Sequence, residues 1–444
     1  MRTGIILVLS LAAAAGAQDF AALDRIAGDE LAAQRIPGLV LVAVQGDRVA
    51  YAKGFGKASV ETGEPVTPDH LFRVGSTTKM FVGAAVTAMA EIGRLRMDGP
   101  VGDHIRDLDP ALRKLTAHQL LSHTSGLMDR TLMFGSHDDG ALAVNIAGLQ
   151  PDTLFAKPGE IFSYSNLGYA MAGRLLETVS GMAFADAMKE TVFEPLGMKR
   201  TTFRPTIAMT YPLAQGHIEN ERKEVVIGRP AADHSGYWPA GSMFTSGRDF
   251  ARMAIALMNG GMIEGRQSIP ASVVSRMTLP QAAQADGTSQ YGYGIGVSDS
   301  GGMKVWRHGG ARFGYASHLV ILPDRKTAVI AIANRGGANL TRLANKALGQ
   351  LTGLPIPAQQ SRPANPALVP SKLIGVYRQY TRTLSVTEEG GKLKVGAMGR
   401  VVPLEPTGGD CFRHESAGPY CFTLGADGRA KFVSVGSRSF ARVD

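Results

Sequence analysis

Phe72-Arg73-Val74-Gly75-Ser76-Thr77-Thr78-Lys79 is the stretch on which the reading of this chain turns. Apolar residues follow at Phe81, Ala84, Ala85, Ala88, Met89 and Ile92, the spacing of a helix with one buried face. The pattern predicts a helix starting at or near Ser76, with Ser76 and Lys79 on one side of it. There a serine hydroxyl lies near free backbone N–H groups and the positive end of the helix dipole, which favour an alkoxide and the oxyanion it creates. A neighbouring lysine can take the serine proton if burial lowers its pKa from about 10.4. Alone, the stretch reads more readily as a serine cap followed by a solvated lysine.

A second element lies at Lys157-Pro158-Gly159-Glu160-Ile161-Phe162-Ser163-Tyr164-Ser165-Asn166-Leu167-Gly168-Tyr169. Pro158-Gly159 marks a turn, and a helix is expected from about Leu167 to Val179, ended by Gly181. Tyr164 and Asn166 fall in the connection before it, where both side chains can aim into a cleft. A phenol gives and takes protons, and its pKa of about 10 falls beside a cation; an amide can hold a substrate carbonyl. The alternative is that Asn166 caps the helix and Tyr164 packs in the core.

The third element is Val305-Trp306-Arg307-His308-Gly309-Gly310-Ala311, a strand running into two glycines. Glycine lets a ligand approach the backbone, and an edge strand here can pair with a peptide-like substrate. The N–H groups of Ala311 and Ser76 are candidate oxyanion donors. His308 either orients substrate or an anionic group, or is an ordinary strand-end histidine.

In the order Ser-x-x-Lys, Tyr-x-Asn, His-x-Gly, the chain resembles the serine β-lactamase and penicillin-binding protein superfamily, in the branch of class C β-lactamases, D-alanyl-D-alanine carboxypeptidases, D-aminopeptidases and related esterases. Leu120-Leu121-Ser122-His123-Thr124-Ser125-Gly126-Leu127 and Ala240-Gly241-Ser242-Met243-Phe244-Thr245-Ser246 are similar to family segments, and the resemblance runs from about Phe20 to Leu351. It implies an α/β (α+β) fold, a mixed antiparallel sheet flanked by helices with an all-helical subdomain and the cleft between them. It also implies roles: Ser76 as acylated nucleophile, Lys79 and Tyr164 as its base system, Asn166 positioning the acyl carbonyl, and His308, Gly310 and Ala311 flanking the cleft. Class C β-lactamases carry Lys-Thr-Gly where this chain has His308-Gly309-Gly310. A partly charged histidine and a glycine suit a β-lactam carboxylate less well than a lysine and a hydroxyl, unless Arg312 or another arginine replaces them. A peptidase acting on D-amino-acid amides or short peptides, or a carboxylesterase, is therefore expected ahead of a β-lactamase. A non-catalytic β-lactam or envelope-polymer binder on the same fold is the rival from another class.

Coarse patterning agrees. Phe20 to Gln34 reads as a helix; Val40–Val44 and Val49–Phe55 read as strands joined at Gly46-Asp47. Strand signals return at Tyr291–Val297, Lys304–Arg307, Ser317–Leu322 and Thr327–Ala333, followed by a helix, Leu340–Leu351. Strands at both ends of a helical middle predict one sheet completed by both ends. Residues 354–371 are a Pro-rich linker. Beyond them GVYRQY, LSVTEE, KLKVGA, VVPLEP, CFRHE, YCFTL and AKFVSV predict a small antiparallel barrel or sandwich over 372–444, which resembles the C-terminal β-barrel of some His-x-Gly family members. Cys411 and Cys421 flank a Gly-Pro turn and are expected to bridge across a hairpin.

Residues 1–17 carry Arg2, an apolar run from Gly4 to Ala15, and Ala15-Gly16-Ala17, the pattern of a signal peptide. A secreted or periplasmic hydrolase domain over 18–353 follows as the expectation. The formal charge of +9 over 444 residues is spread along the chain rather than gathered with aromatics, which disfavours nucleic acid as a partner. His137-Asp138-Asp139 is a weak metal cluster, and no H-E-x-x-H occurs. The expected chemistry needs neither metal nor organic cofactor. Ser298-Asp299-Ser300-Gly301-Gly302 echoes the nucleophile segment of chymotrypsin-like proteases but fits a turn between strands better.

Overall fold

The computed structural model describes residues 20–354, 363, 365, 368–397, 399–414 and 418–444. The expected signal segment and most of the Pro-rich linker lie outside these residues.

The early and late strand signals meet in one eight-stranded sheet. In spatial order the strands are Arg48–Gly56, Gly38–Gln45, Thr327–Ala333, Tyr315–Leu322, Met303–Arg312, Gly296–Ser300, Gln290–Tyr291 and Ala282–Ala283. Leu39 lies opposite Ala333, joining the two ends of the region. All pairings within this sheet are antiparallel: tight hairpins join most neighbours, and a hairpin reverses the chain.

The central strands are apolar at nearly every position because both faces are covered. On one face Leu39, Leu41, Ala43, Val320 and Val329 pack under the helices Ala21–Ala33 and Thr341–Thr352. On the other, Val40, Val42, Leu319 and Ile330 pack with the helical region. That region is built around the helices Thr78–Glu91, Asn166–Ser180 and Gly247–Met258. Phe81 anchors the first of them, its ring centroid 5.6 Å from that of Phe250 and 6.3 Å from that of Phe193. Burying a side chain of this size stabilises by roughly 1.5–3 kcal/mol.

The single strand expected over Tyr291–Val297 is two, Gln290–Tyr291 and Gly296–Ser300. Between them the chain bends against the first turn of the Ser76–Lys79 helix; a Cβ on Gly294 would stand 2.3 Å from the Lys79 carbonyl oxygen. Asp299 and Ser300 pair with Lys304 and Met303 across the Gly301-Gly302 turn, consistent with the hairpin reading of that segment.

The C-terminal region holds nine strands in one antiparallel sheet that curls into a nearly closed barrel. The expected strand VVPLEP is two, Arg400–Pro403 and Glu405–Gly408. A ninth, Arg438–Arg442, was not foreseen; it lies mid-sheet between Gly375–Gln379 and Ala430–Val435. Leu373, Tyr377, Val386, Val395 and Val433 fill the interior. Cys411 and Cys421, cross-strand partners, are disulfide-bonded. The barrel docks by the turn before its last strand. Ser437 O accepts from Tyr164 N at 2.8 Å, Ser439 Oγ donates to Phe162 O at 2.8 Å, and Ser163 Oγ accepts from Ser439 N at 3.1 Å. The loop leading into Tyr164 is thus held by both regions.

Candidate active site

Gly75 has φ +57°, a left-handed conformation that glycine tolerates best. It opens a single 3₁₀ turn, Gly75–Thr77, ahead of the α-helix Thr78–Glu91. The α-helix therefore starts two residues after Ser76. The turn is pinned by Thr77 Oγ1 donating to Val74 O at 2.9 Å and Thr78 Oγ1 donating to Gly75 O at 2.7 Å. Neither segment has a side-chain cap bond at its N-terminus, so Ser76 is not there as a cap.

Lys79 is fully buried, so the solvated-face alternative does not hold. Its Nζ donates to Asn166 Oδ1 at 2.7 Å, to Ser76 Oγ at 3.4 Å and to Ala240 O. Burial drives its pKa well below the ordinary lysine value; Asp129 opposes the shift, and the cations Arg438 and Arg312 add to it. In its neutral form the amine keeps two N–H groups, for Asn166 Oδ1 and Ala240 O, and turns its lone pair to Ser76 Oγ, as a proton acceptor requires.

Ser165, not Asn166, caps the helix Asn166–Ser180, its Oγ accepting from Gly168 N at 3.1 Å. Asn166 is left free to reach Lys79. Its backbone N and its Nδ2 both donate to Asp129 Oδ1, at 2.9 and 3.0 Å. Tyr164 is buried, its ring 4.2 Å from His123 and 4.8 Å from Lys79 Nζ. Burial pushes its pKa up, and the Ser76 hydroxyl and Arg438 pull the other way. Both members of the base system are thus pushed toward their neutral forms by the same cause.

The strand Met303–Arg312 runs along the other side of Ser76. A Cβ on Gly310 would come within 1.9 Å of Val74 O and 3.1 Å of Ser76 N, and one on Gly75 within 2.5 Å of Ala311 N. These close approaches bring the Ser76 and Ala311 amides together. His308 differs from expectation. Its Nε2 meets the Tyr291 hydroxyl at 2.9 Å and its Nδ1 the Gly309 carbonyl at 2.6 Å. A carbonyl only accepts, so Nδ1 carries the proton and Nε2 accepts from tyrosine. Burial, with Lys79 nearby, lowers its pKa to about 3. The partial positive charge expected there is absent at neutral pH.

Cations come instead from residues not assigned roles in the sequence. Arg438, on the unforeseen last strand, sets its guanidinium 5.2 Å from the Tyr164 ring and donates from Nε to Asp129 Oδ2 at 2.5 Å. Asp129 follows the Leu120–Leu127 segment by two positions, but nothing in its sequence setting marked it. Ala240 sits in a flagged segment, though its carbonyl gave no signal. His137 contacts Asp233 Oδ2 at 2.7 Å, and among the described residues no cluster of metal-binding side chains occurs. Among the same residues no helix is long and apolar enough to cross a membrane.

The chain is similar to several known proteins. Penicillin-binding protein 4 of Amycolatopsis lactamdurans is 29% identical over 366 residues, covering 78% of this chain and 93% of that protein. The unguisins hydrolase ungD' of Aspergillus campestris is 27% identical over 71% of this chain and 61% of its own length. Among solved structures, SurE superposes with a TM-score of 0.79 at 25% identity, over 95% of this chain and 99% of that one. A class C β-lactamase from Rhodobacter sphaeroides, 23% identical, shares the fold with a TM-score of 0.61 over 75% of this chain and 98% of its own. The Beta-lactamase family profile matches residues 23–353, and the chain belongs to that family, the serine β-lactamase and penicillin-binding superfamily.

Proposed function

We propose that this protein is a serine hydrolase that cleaves amide or ester bonds through an acyl-Ser76 intermediate. The observation that carries the reading is the buried Lys79 amine, held at once by Ser76 Oγ, Asn166 Oδ1 and Ala240 O. A stability role gives no reason to bury an unpaired lysine, whereas nucleophile activation does. Ser76 gives its proton to the Lys79/Tyr164 pair and attacks the carbonyl. The Ser76 and Ala311 N–H groups receive the oxyanion. Asn166 steadies Lys79 and the acyl group, and the leaving amine or alcohol takes a proton through Tyr164. Water activated by the same groups then frees Ser76. Lys79 and Tyr164 titrate as a coupled pair, so the base is the pair rather than either residue.

A peptidase acting on D-amino-acid-containing or short peptides, or a carboxylesterase, fits better than a dedicated β-lactamase. His308 is neutral and its nitrogens are engaged, so the charge that Lys-Thr-Gly supplies to a β-lactam carboxylate is missing. SurE, 26% identical to this chain, has been solved with D-Leu, which supports a D-amino-acid-containing substrate. The signal-like residues 1–17 support export to the periplasm or beyond.

The test is a matched panel of a p-nitrophenyl ester, a D-alanine anilide, its L-isomer and a chromogenic cephalosporin, with wild type and Ser76→Ala. Turnover of the D-anilide over the L-form, lost in Ser76→Ala, is the expected result for a D-peptidase, and ester-only turnover for a carboxylesterase. A dominant cephalosporin rate would reverse the ranking.

A further inference from the structure

The strand that carries His308, Gly310 and Ala311 ends at Arg312, and this arginine is buried, only 8% exposed. Two of its guanidinium nitrogens, Nε and Nη2, are buried without a hydrogen-bond partner. A desolvated guanidinium without an acid beside it is costly unless something else supplies the counter-charge.

Nearby acids are already engaged. Asp233 Oδ1 accepts from Arg73 Nη2 at 2.8 Å and from Trp238 Nε1 at 3.0 Å, and its Oδ2 meets His137 at 2.7 Å. Glu219, on the wall of the cavity that Arg312 lines, is paired with Arg35, Lys223 and Arg335. The other groups near Arg312 are Arg73, of its own sign, and Lys79, whose pKa Arg312 helps to lower. The cavity is about 600 Å³, and Thr131, Met133, Ala311 and Phe313 share its lining. A second cavity of about 910 Å³ lies beyond Phe313, against Arg73, Asp233 and Tyr315. The strand therefore ends beside space large enough for a substrate group, with Nε and Nη2 of Arg312 set back from its surface.

The strand also gives direction. Side chains alternate, so His308, Gly310 and Arg312 share the face toward Ser76. At roughly 3.3 Å per residue, Arg312 lies about 7 Å beyond Gly310 and about 13 Å beyond His308. Tyr164, through which the leaving group is protonated in the acyl-serine reading, stands at the His308 end, the two ring centroids 6.3 Å apart. The leaving group then occupies that end and the acyl fragment the Arg312 end.

We propose that Arg312 forms an acyl-side anion subsite, and that the preferred substrates carry a carboxylate on the acyl fragment, several bonds from the scissile carbonyl. The carboxylate completes the guanidinium's hydrogen bonds by the two-pronged geometry arginine favours. The assignment of the acyl end rests on the acyl-serine reading; the anion subsite itself does not.

Two measurements separate them. In the first, kcat/KM is compared for the adipic acid mono-p-nitrophenyl ester and the uncharged p-nitrophenyl hexanoate of equal chain length. Wild type should favour the anionic ester by about tenfold or more, the size of a charge-assisted hydrogen bond to a buried group. Arg312→Gln should erase the preference and Arg312→Lys keep part of it, with Arg312→Met as the second neutral variant should the glutamine protein not fold. In the second, binding of adipic acid mono-p-nitroanilide is measured by calorimetry on Ser76→Ala with and without Arg312→Gln, and a loss of about tenfold or more in affinity is expected. If the esters turn over and neither the ratio nor the affinity responds to Arg312, the subsite is refuted and the hydrolase reading stands. If nothing turns over while the affinity still depends on Arg312, the subsite stands and the hydrolase reading falls.

Discussion

The region around Ser76 and the barrel turn at Gly436–Arg438 reach the same phenol by opposite electrostatic means. Around Ser76 the titratable groups are held neutral: burial lowers Lys79, raises Tyr164 and takes His308 down to about 3. The barrel brings a cation, Arg438, and ties it to Asp129, which in turn fixes the Asn166 amide. Burial brings the two forms of Lys79 closer in energy, as a proton acceptor needs, while it holds Tyr164 and His308 in their neutral forms. A group that only biases that exchange works best with a charge that does not titrate, which arginine supplies. The same Arg438 charge pulls both Lys79 and Tyr164 down in pKa, so in the proposed mechanism the barrel tunes the base pair it docks against.

The comparison can be broken first at its core side. Tyr164→Phe keeps the ring against His123 and Lys79 and removes only the hydroxyl. Loss of a positioned proton carrier should lower kcat by about 10²–10⁴-fold, with an unchanged circular dichroism spectrum. A kcat within a few-fold of wild type would take the phenol out of the proton path.

The barrel side is the smaller effect. Arg438→Gln should lower kcat/KM by about tenfold, as expected for one lost charge-assisted contact, and move the rising limb of the pH profile. The sign follows from Lys79. Activity requires its neutral form, so it is present above the Lys79 pKa and lost as pH falls through it. Arg438 helps hold that pKa down. Removing the cation raises it, and the limb moves to higher pH; Arg438→Lys should leave the limb near its wild-type position. A purely structural role for Arg438 would lower the rate without moving the limb.

Legibility in the sequence followed the same divide. The apolar strands at Val40–Val44 and Thr327–Ala333 declared themselves because both sheet faces are covered. The motif residues Ser76, Lys79, Tyr164 and Asn166 come together as the family order implies, since each sits at the start of a helix or just before it. The last strand, Arg438–Arg442, escaped because Arg-Ser-Phe-Ala-Arg lacks a clean apolar alternation; Ser439 is buried through its hydrogen bonds to the Tyr164 loop rather than through hydrophobicity. Asp129 and Ala240 were silent because their parts are played by a carboxylate and a main-chain carbonyl whose partners are remote in sequence. His308 misled for a related reason. Its charge state is set by Tyr291 and by burial, neither of which its own motif records.

The most direct test of the account is intact-protein mass spectrometry of wild type and Ser76→Ala quenched during turnover of a p-nitrophenyl ester. The account predicts one acyl mass on the wild-type chain, localised to the peptide bearing Ser76, that decays at least as fast as steady-state turnover and is absent from Ser76→Ala. Equal turnover by both proteins, with no adduct at Ser76, would contradict it.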